Sequence, residues 1–329
     1  MLSVAPVRSA SGAANYFAKD DYYTADGSAE VSGWAGEGAD ELGLSGQVSK
    51  DAFEGVLNGR LPDGTMVGQV ENRQAGIDLT FSMPKSASVM AYVAGDKRVL
   101  DANMAAVKAT MKWVEANLAE GRKDVDGKKV PFRTGNLVYA LFQHDTSRAL
   151  DPQAHIHAVI ANLTRMADGK WQALHNGEIW RNNSVIGSIY HAFLRDGLEK
   201  LGYQLDMRGK HGTFEIAGVP KAVLEAFSQR REEILAKAGA LGITSPQGMR
   251  EVTTRTRDPK LHVDDRDDLR VGWKDKAASL GFDGKALLDA AVARAQRAEP
   301  GSALERGYRA VSDAISGAWE KLSQIVQPG

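Results

Sequence analysis

The sequence contains no cysteine among its 329 residues. This absence excludes disulfide bonds and thiolate metal ligands, so any metal ion must be bound through histidine, carboxylate or main-chain oxygen. The chain also lacks an apolar run long enough to span a membrane, and its first residues, MLSVAPVRSASGAANYF, lack the apolar core of a signal peptide. We therefore expect a cytoplasmic protein without membrane insertion.

An excess of positive charge is missing as well. Lysine and arginine together number 41 against 42 acidic residues, which gives a formal net charge of -1. Nucleic-acid-binding domains are usually basic, so a DNA site in this chain would need a local basic groove. Hydrophobic residues make up 43% of the chain, enough for a globular core.

Apolar residues alternate or recur in patterns that predict both strands and helices. In GIDLTFS, residues 76–82, every second residue is apolar, which predicts a half-buried strand with Asp78 on its polar face. Glycine and lysine dominate GRKDVDGKK, which we interpret as a solvated turn. Strands are predicted over 137–144 and 155–163, a hairpin over 203–216, and helices over 85–93, 100–118, 183–201, 221–238 and from 258 onward.

Strands and helices do not alternate regularly along the chain. This order predicts an α+β fold, in which a mainly antiparallel sheet is covered by helices and followed by a helical C-terminal part.

Three of the seven histidines lie within fourteen residues. His155 and His157 are two apart on a predicted strand and therefore share one face. His144 ends the preceding predicted strand and can join them if the two strands pair. Three imidazoles with open positions are typical of a catalytic metal site, although histidines hydrogen-bonded at a strand edge are the alternative. By affinity such ligands favour Zn, Ni, Cu or Mn over Mg.

One aspartate and three tyrosines become candidate functional residues only if they lie close to this histidine cluster. Asp78 could hold the free ring nitrogen of a ligand histidine or accept a proton, or it could be an ordinary surface aspartate. Tyr16, Tyr22 and Tyr23 fall in the first 23 residues. A phenol activated by a nearby metal suits transesterification at a phosphodiester, whereas aromatic packing is the alternative.

Ordered motifs across residues 1–285 resemble the TrwC/TraI family of conjugative relaxases, which is of the MobF type within the HUH endonuclease superfamily. The resemblance is carried by NYFAKDDYY, GWAGEGADELGLSG, GIDLTFSMPKS, TGNLVYALFQHDTSR, DPQAHIHAVIANLT and LEKLGYQL. It implies a sheet like a polymerase palm, with helices closing over single-stranded DNA. It also implies nicking of one strand at a plasmid origin of transfer, through a 5′-phosphotyrosine, and later rejoining.

The resemblance also implies roles for individual residues. Tyr16 matches the first nucleophile, and Tyr22 and Tyr23 match a second pair that serves the later strand transfer. Asp78 matches the carboxylate that orients or activates. The remaining matches are the metal ligands, His144, His155 and His157, and two residues expected to contact DNA, Arg148 and Lys85. With this chemistry Mg or Mn suffices as the divalent ion, while Zn, Ni or Cu can occupy the site in a preparation.

The sequence also departs from the family's pattern. Phe17 stands where close relatives carry a second adjacent tyrosine, which favours Tyr16 as the nucleophile. No Walker A motif occurs, so we expect the helicase domain that the family carries in cis to lie outside this sequence. We predict a relaxase domain over 1–285 and, over 286–329, a helical extension that begins the linker.

The expected partners follow from the resemblance. They are single-stranded origin DNA, relaxosome accessory proteins and a coupling protein, in a bacterium that carries the gene on a plasmid. The alternatives are a rolling-circle replication initiator, which shares the chemistry, a zinc hydrolase unrelated to DNA, and a module that binds a DNA strand without cutting it. The triad and Tyr16 argue against the last. The hydrolase is weakened by the absence of an H-E-x-x-H motif.

Overall fold

A central antiparallel sheet organises the computed structural model, which describes residues 1–18, 32–68, 73–209, 212–255 and 266–297. In space its strands run β1–β3–β7–β6–β2, with every neighbouring pair antiparallel. The strands in chain order are β1 (Leu2–Val7), β2 (Ser32–Ala35), β3 (Gly76–Ser82), β4 (Glu120–Val125), β5 (Lys128–Arg133), β6 (Tyr139–Thr146), β7 (Pro152–Ala161), β8 (Thr164–Arg165), β9 (Trp171–Gln172), β10 (Leu205–Arg208) and β11 (Thr213–Ile216).

Helices cover both faces of this sheet and make up the C-terminal part, which confirms the predicted α+β class. The predicted helices at 85–93, 100–118 and 183–201 are all present. In chain order the helices are α1 (Ala10–Ala18), α2 (Glu37–Glu41), α3 (Lys50–Leu57), α4 (Lys85–Tyr92), α5 (Arg98–Leu118), α6 (Gly177–Arg181), α7 (Asn183–Lys200), α8 (Lys221–Ala226), α9 (Gln229–Ala240), α10 (Pro246–Arg255), α11 (Arg266–Ser279) and α12 (Gly284–Arg297).

Each face of the sheet contributes to a separate apolar cluster. On one face Leu79 and Ile156 join residues of α4, α5 and α7 in the larger cluster. On the other face Phe142 and Val159 pack with α1 and α3 in the smaller one. Because the central strands are covered on both faces, their successive residues are buried on alternate sides of the sheet. The removal of this apolar surface from water stabilises the centre of the sheet.

The burial pattern of β7 shows where the cover of α1 and α3 over their face of the sheet ends. Its last four residues are all buried, whereas in its first half buried residues alternate with the half-buried Gln153, His155 and His157. In β3 the half-buried positions are Asp78, Thr80 and Ser82. These polar side chains share the face on which α1 and α3 pack, just beyond the area that those helices cover.

Some predicted elements differ from the structure. The segment predicted as a solvated turn is the exposed hairpin β4–β5, which turns at Asp126 and Gly127. Its residues are almost all exposed, including Val125, Val130 and Phe132, so no buried face produced an alternation of apolar and polar residues. The predicted helix over 221–238 is two helices, α8 and α9, which meet at Phe227 and Ser228.

The proposed domain boundary at 285/286 falls within α12, where Ala291 is buried. Residues 298–329 lie outside the described part of the chain, as do Tyr22 and Tyr23. Among the described helices, none is both long enough and apolar enough to cross a membrane.

Candidate metal centre and nucleophile

The three histidines predicted to bind metal meet on neighbouring strands. His144 of β6 stands directly opposite His155 of β7, and His157 lies two residues further along β7. The ring centroids of His144 lie 4.8 Å from each of the other two, and those of His155 and His157 are 5.3 Å apart. One nitrogen from each ring falls within 4.8 Å of the others. A register shift in β6 follows His144 directly, and such irregularities often occur next to active sites.

Hydrogen bonds from outside the cluster fix two of the rings. His157 Nδ1 lies 2.7 Å from Asp78 Oδ2 and 3.2 Å from Thr80 Oγ1. His155 Nδ1 lies 2.9 Å from the carbonyl oxygen of Gln153. An Nδ1 that donates to an oxygen leaves Nε2 of the same ring with its lone pair available to a metal ion.

The donor set fits a divalent metal ion. Three neutral imidazoles can bind it and leave further coordination positions for substrate oxygen or water. Asp78 acts on His157 from behind the cluster and is about one-fifth exposed, so it is not an isolated surface aspartate. Its position agrees with the orienting role expected for it.

Two aromatic side chains of α1 reach this centre. The buried Phe17 ring lies 5.8 Å from the ring of His144 and 5.5 Å from that of His157, and Tyr16 is the exposed one of the two. Its ring lies 6.0 Å from the ring of His144, inclined by 15°, and 6.2 Å from that of His157. The side chain is 37% exposed, which leaves it accessible to a substrate. A phenol beside three imidazoles and open to solvent is well placed to act as a nucleophile.

Phe17, the next residue, has the opposite environment. It is 3% exposed, and its ring stacks on Phe142 at 3.9 Å between centroids and meets Phe53 edge-on at 6.0 Å. A tyrosine here would have to bury its hydroxyl among aromatic rings, at a cost unless it found a partner. The core position of residue 17 thus supports Tyr16 as the residue that serves the site.

The two predicted DNA-binding residues lie near the loop that connects the triad strands β6 and β7. Arg148 lies half-buried in the loop between β6 and β7. Lys85 begins α4, and its ammonium donates to the carbonyl oxygen of Pro152 at 2.9 Å. Burial lowers the pKa of Lys85 to about 8, while the charges of Asp151 and Glu215 oppose that shift. Contact of either residue with DNA stays a prediction.

Some residues at the site escaped the sequence analysis. Thr80 could have been found, because it follows Asp78 by two residues on the same polar strand face. Asp145 is paired with Arg266 of α11 at 2.9 Å, and Asp151 is bonded to Gln229 of α9. No local pattern marks these two pairs, because their members are far apart in the sequence.

Comparison with known proteins identifies the family. The family model for the TrwC relaxase matches residues 10–280. This chain belongs to the TrwC relaxase family. The family resemblance deduced from the motifs is therefore confirmed.

Individual relatives agree with this assignment. The multifunctional conjugation protein TraI of Escherichia coli is 41% identical over 346 aligned residues, which cover 99% of this chain and 19% of TraI. The chain thus spans about one-fifth of the length of that relative. The TraI protein of Escherichia coli strain K12 gives the same identity over 345 residues.

Solved structures agree in fold as well as in sequence. The conjugative relaxase TrwC, in a copper-bound complex with oriT DNA, superposes with a TM-score of 0.79 at 40% identity, covering 86% of this chain and all of that one. Its metal-free complex with oriT DNA gives a TM-score of 0.78 at 39% identity, with the same coverage.

Proposed function

We propose that this chain nicks one DNA strand at a plasmid origin of transfer and later rejoins it, through a 5′-phosphotyrosine formed on Tyr16. The observation that carries the proposal is the exposed Tyr16 ring beside the three histidines. The TrwC structures in complex with oriT DNA support the same substrate for this chain.

In the proposed reaction the Tyr16 phenol oxygen attacks the scissile phosphorus. A bond from phosphorus to the phenol oxygen forms while the bond from phosphorus to the 3′ oxygen of the preceding nucleotide breaks. The phenol loses its proton and the departing 3′ oxygen gains one, so one phosphodiester replaces another and no water is consumed. The reverse exchange rejoins the strand.

The protein groups hold this reaction in place. Asp78 keeps the Nδ1 proton of His157 in a 2.7 Å hydrogen bond, which fixes the ring with Nε2 towards the centre of the cluster. Stacking of Phe17 on Phe142 anchors α1 and with it the Tyr16 ring. A divalent ion on the three histidines would polarise the scissile phosphate and neutralise charge in the transition state.

The finer assignments are part of the same proposal. Mg or Mn would serve as the working ion, while Zn, Ni or Cu would bind imidazole more tightly and could occupy the site in a preparation. Tyr22 and Tyr23 would serve the later strand transfer, and Arg148 and Lys85 would contact DNA. The relaxase domain would end at 285, with the helicase in cis after the linker that 286–329 begins.

We place the protein in the bacterial cytoplasm, encoded on a plasmid. Its partners there would be relaxosome accessory proteins and a coupling protein. The family's conjugative relatives, TraI and TrwC, support this setting.

The test is incubation of the protein with pooled single-stranded origin oligonucleotides and Mg or Mn, followed by denaturing electrophoresis. The expected result is a covalent adduct that disappears in Tyr16→Phe while oligonucleotide affinity stays close to wild type. Tyr22→Phe and Tyr23→Phe serve as matched controls and should retain the first adduct. Full adduct yield from Tyr16→Phe would overturn the assignment of the nucleophile.

A further inference from the structure

The loop between the two triad strands, residues 147–151, is closed on itself by hydrogen bonds. Ser147 N donates to the Asp151 carbonyl oxygen at 2.9 Å, and Asp151 N donates to Ser147 Oγ at 3.1 Å. Leu150 adopts a left-handed backbone with φ of 59°, a conformation costly for a branched side chain. The surrounding structure must therefore hold this loop, which carries Arg148, in its conformation.

Hydrogen bonds from two C-terminal helices, α9 and α11, fix this loop. Both carboxylate oxygens of Asp151 accept from Gln229 at the start of α9, one from its main-chain N at 2.9 Å and the other from its Nε2 at 2.8 Å. Trp273 of α11 donates from Nε1 to the Leu150 carbonyl oxygen at 2.9 Å. Asp151 is 2% exposed, so its charge faces Gln229 and the nearby ammonium of Lys85 rather than solvent.

Helices α9 and α11 differ in how much apolar surface they bury against the rest of the protein. Trp273 of α11 is 5% exposed and belongs to the larger apolar cluster. Among the side chains of α9 and α10 that the structure describes, the buried apolar ones are Ala238 and Val252, while Leu235 is 42% exposed. Arg230 of α9 donates to the carbonyl oxygen of Thr253 in α10 at 3.2 Å. With so little apolar burial, the position of α9 relative to the sheet depends strongly on polar contacts such as Asp151 to Gln229.

We infer that Asp151 is a positioning residue that ties the Arg148 loop to the start of α9 and so holds Arg148 beside the triad, where it is proposed to contact DNA. This inference rests on the proposed function. A carboxylate that accepts from the first amide of a helix also complements the positive end of the helix dipole. Loss of the link should weaken capture of the strand far more than the chemical step, because no triad contact is removed.

The variants are Asp151→Ala, Asp151→Asn and Gln229→Glu. The last changes an exposed residue and sets a second carboxylate against the buried Asp151, and circular dichroism checks that each variant is folded. The matched control is Asp283→Ala, since Asp283 Oδ1 accepts from Ala286 N at 2.9 Å near the start of α12. The measurements are oligonucleotide affinity by fluorescence anisotropy, and single-turnover adduct formation against oligonucleotide concentration.

For Asp151→Ala and Gln229→Glu we expect affinity to fall about tenfold, which equals 1.4 kcal/mol, with a smaller change in the saturating adduct rate and unchanged metal content. Asp151→Asn keeps one accepting oxygen and should recover most of the affinity. If the Asp151 and Gln229 variants bind like Asp283→Ala, or lose saturating rate instead of affinity, the inference is overturned. A wild-type protein that binds the oligonucleotide without forming an adduct overturns the proposed function alone, because the affinity comparison still decides this inference.

Discussion

Two carboxylates on the central scaffold, Asp78 and Glu115, have similar chemistry and opposite surroundings. Asp78 is about one-fifth exposed and holds a ring nitrogen of His157 at 2.7 Å. Glu115 is 5% exposed, and its Oε1 accepts main-chain amides of Glu37 at 2.8 Å and Leu137 at 2.6 Å. Asp78 therefore acts on a side chain at the reacting centre, whereas Glu115 ties α5 to α2 and the approach to β6. Their contacts predict separate consequences when either is changed.

The largest effect is expected from substitution of His157, the predicted metal ligand that is hydrogen-bonded to Asp78. His157→Ala removes one of three ligands and should abolish both stoichiometric metal binding and adduct formation. Elemental analysis after dialysis gives the metal content, and circular dichroism checks the fold. Retention of the metal at wild-type stoichiometry would place the metal site elsewhere.

Asp78→Ala should have the next largest effect. It removes the acceptor for His157 Nδ1, so we expect adduct formation to slow by about 10- to 100-fold while metal still binds at saturating concentration. Asp78→Asn keeps an acceptor oxygen and should fall between wild type and Asp78→Ala. An unaltered cleavage rate in Asp78→Ala would show that the carboxylate does not serve the site.

Glu115→Gln should change the pH dependence of stability and leave adduct formation unchanged. Burial raises the pKa of Glu115 to about 7, and the charges of Glu37 and Asp40 act in the same direction. Because the folded protein retains a proton that the unfolded chain releases, the free energy of unfolding decreases as pH rises from about 4.5 to about 7.

The variant keeps the accepting oxygen without the charge. The fall in Tm across this pH window should therefore flatten, with a difference of up to about 3 kcal/mol above pH 7. Thermal unfolding at several pH values measures it. A Tm profile identical to that of wild type would contradict the burial argument, and a loss of adduct formation would end the contrast with Asp78.

Most of the site was predictable because it lies on strands with strict alternation. Asp78 in β3 and the pair His155 and His157 in β7 each stand on the face opposite apolar neighbours, so their common orientation follows from the two-residue period. That His144 stands beside them required only that β6 and β7 pair, which they do. Residue spacing alone did not decide whether the tyrosines serve catalysis or aromatic packing. The prediction of DNA nicking through Tyr16 rested on the ordered motifs that resemble the relaxase family.

What escaped prediction depends on contacts between distant segments. Strand β1 lies at the sheet edge, has no fully buried residue and contains Pro6, so its sequence pattern is weak. The hydrogen bond from Gln229 to Asp151 joins positions 78 residues apart, which no periodicity in the sequence indicates. The burial of Phe17 is likewise a property of the packed sheet, because its partners Phe53 and Phe142 belong to α3 and β6.

The central claim is that Tyr16, held beside the triad, becomes joined to the 5′ end of the cleaved strand. The most direct measurement is proteolysis of the covalent adduct followed by mass spectrometry of the peptide that carries the nucleotide. We predict a single modified residue, Tyr16, in wild-type protein with Mg or Mn. A modification at another residue, or a nicked strand with a free 5′ phosphate and no modified peptide, would contradict the claim.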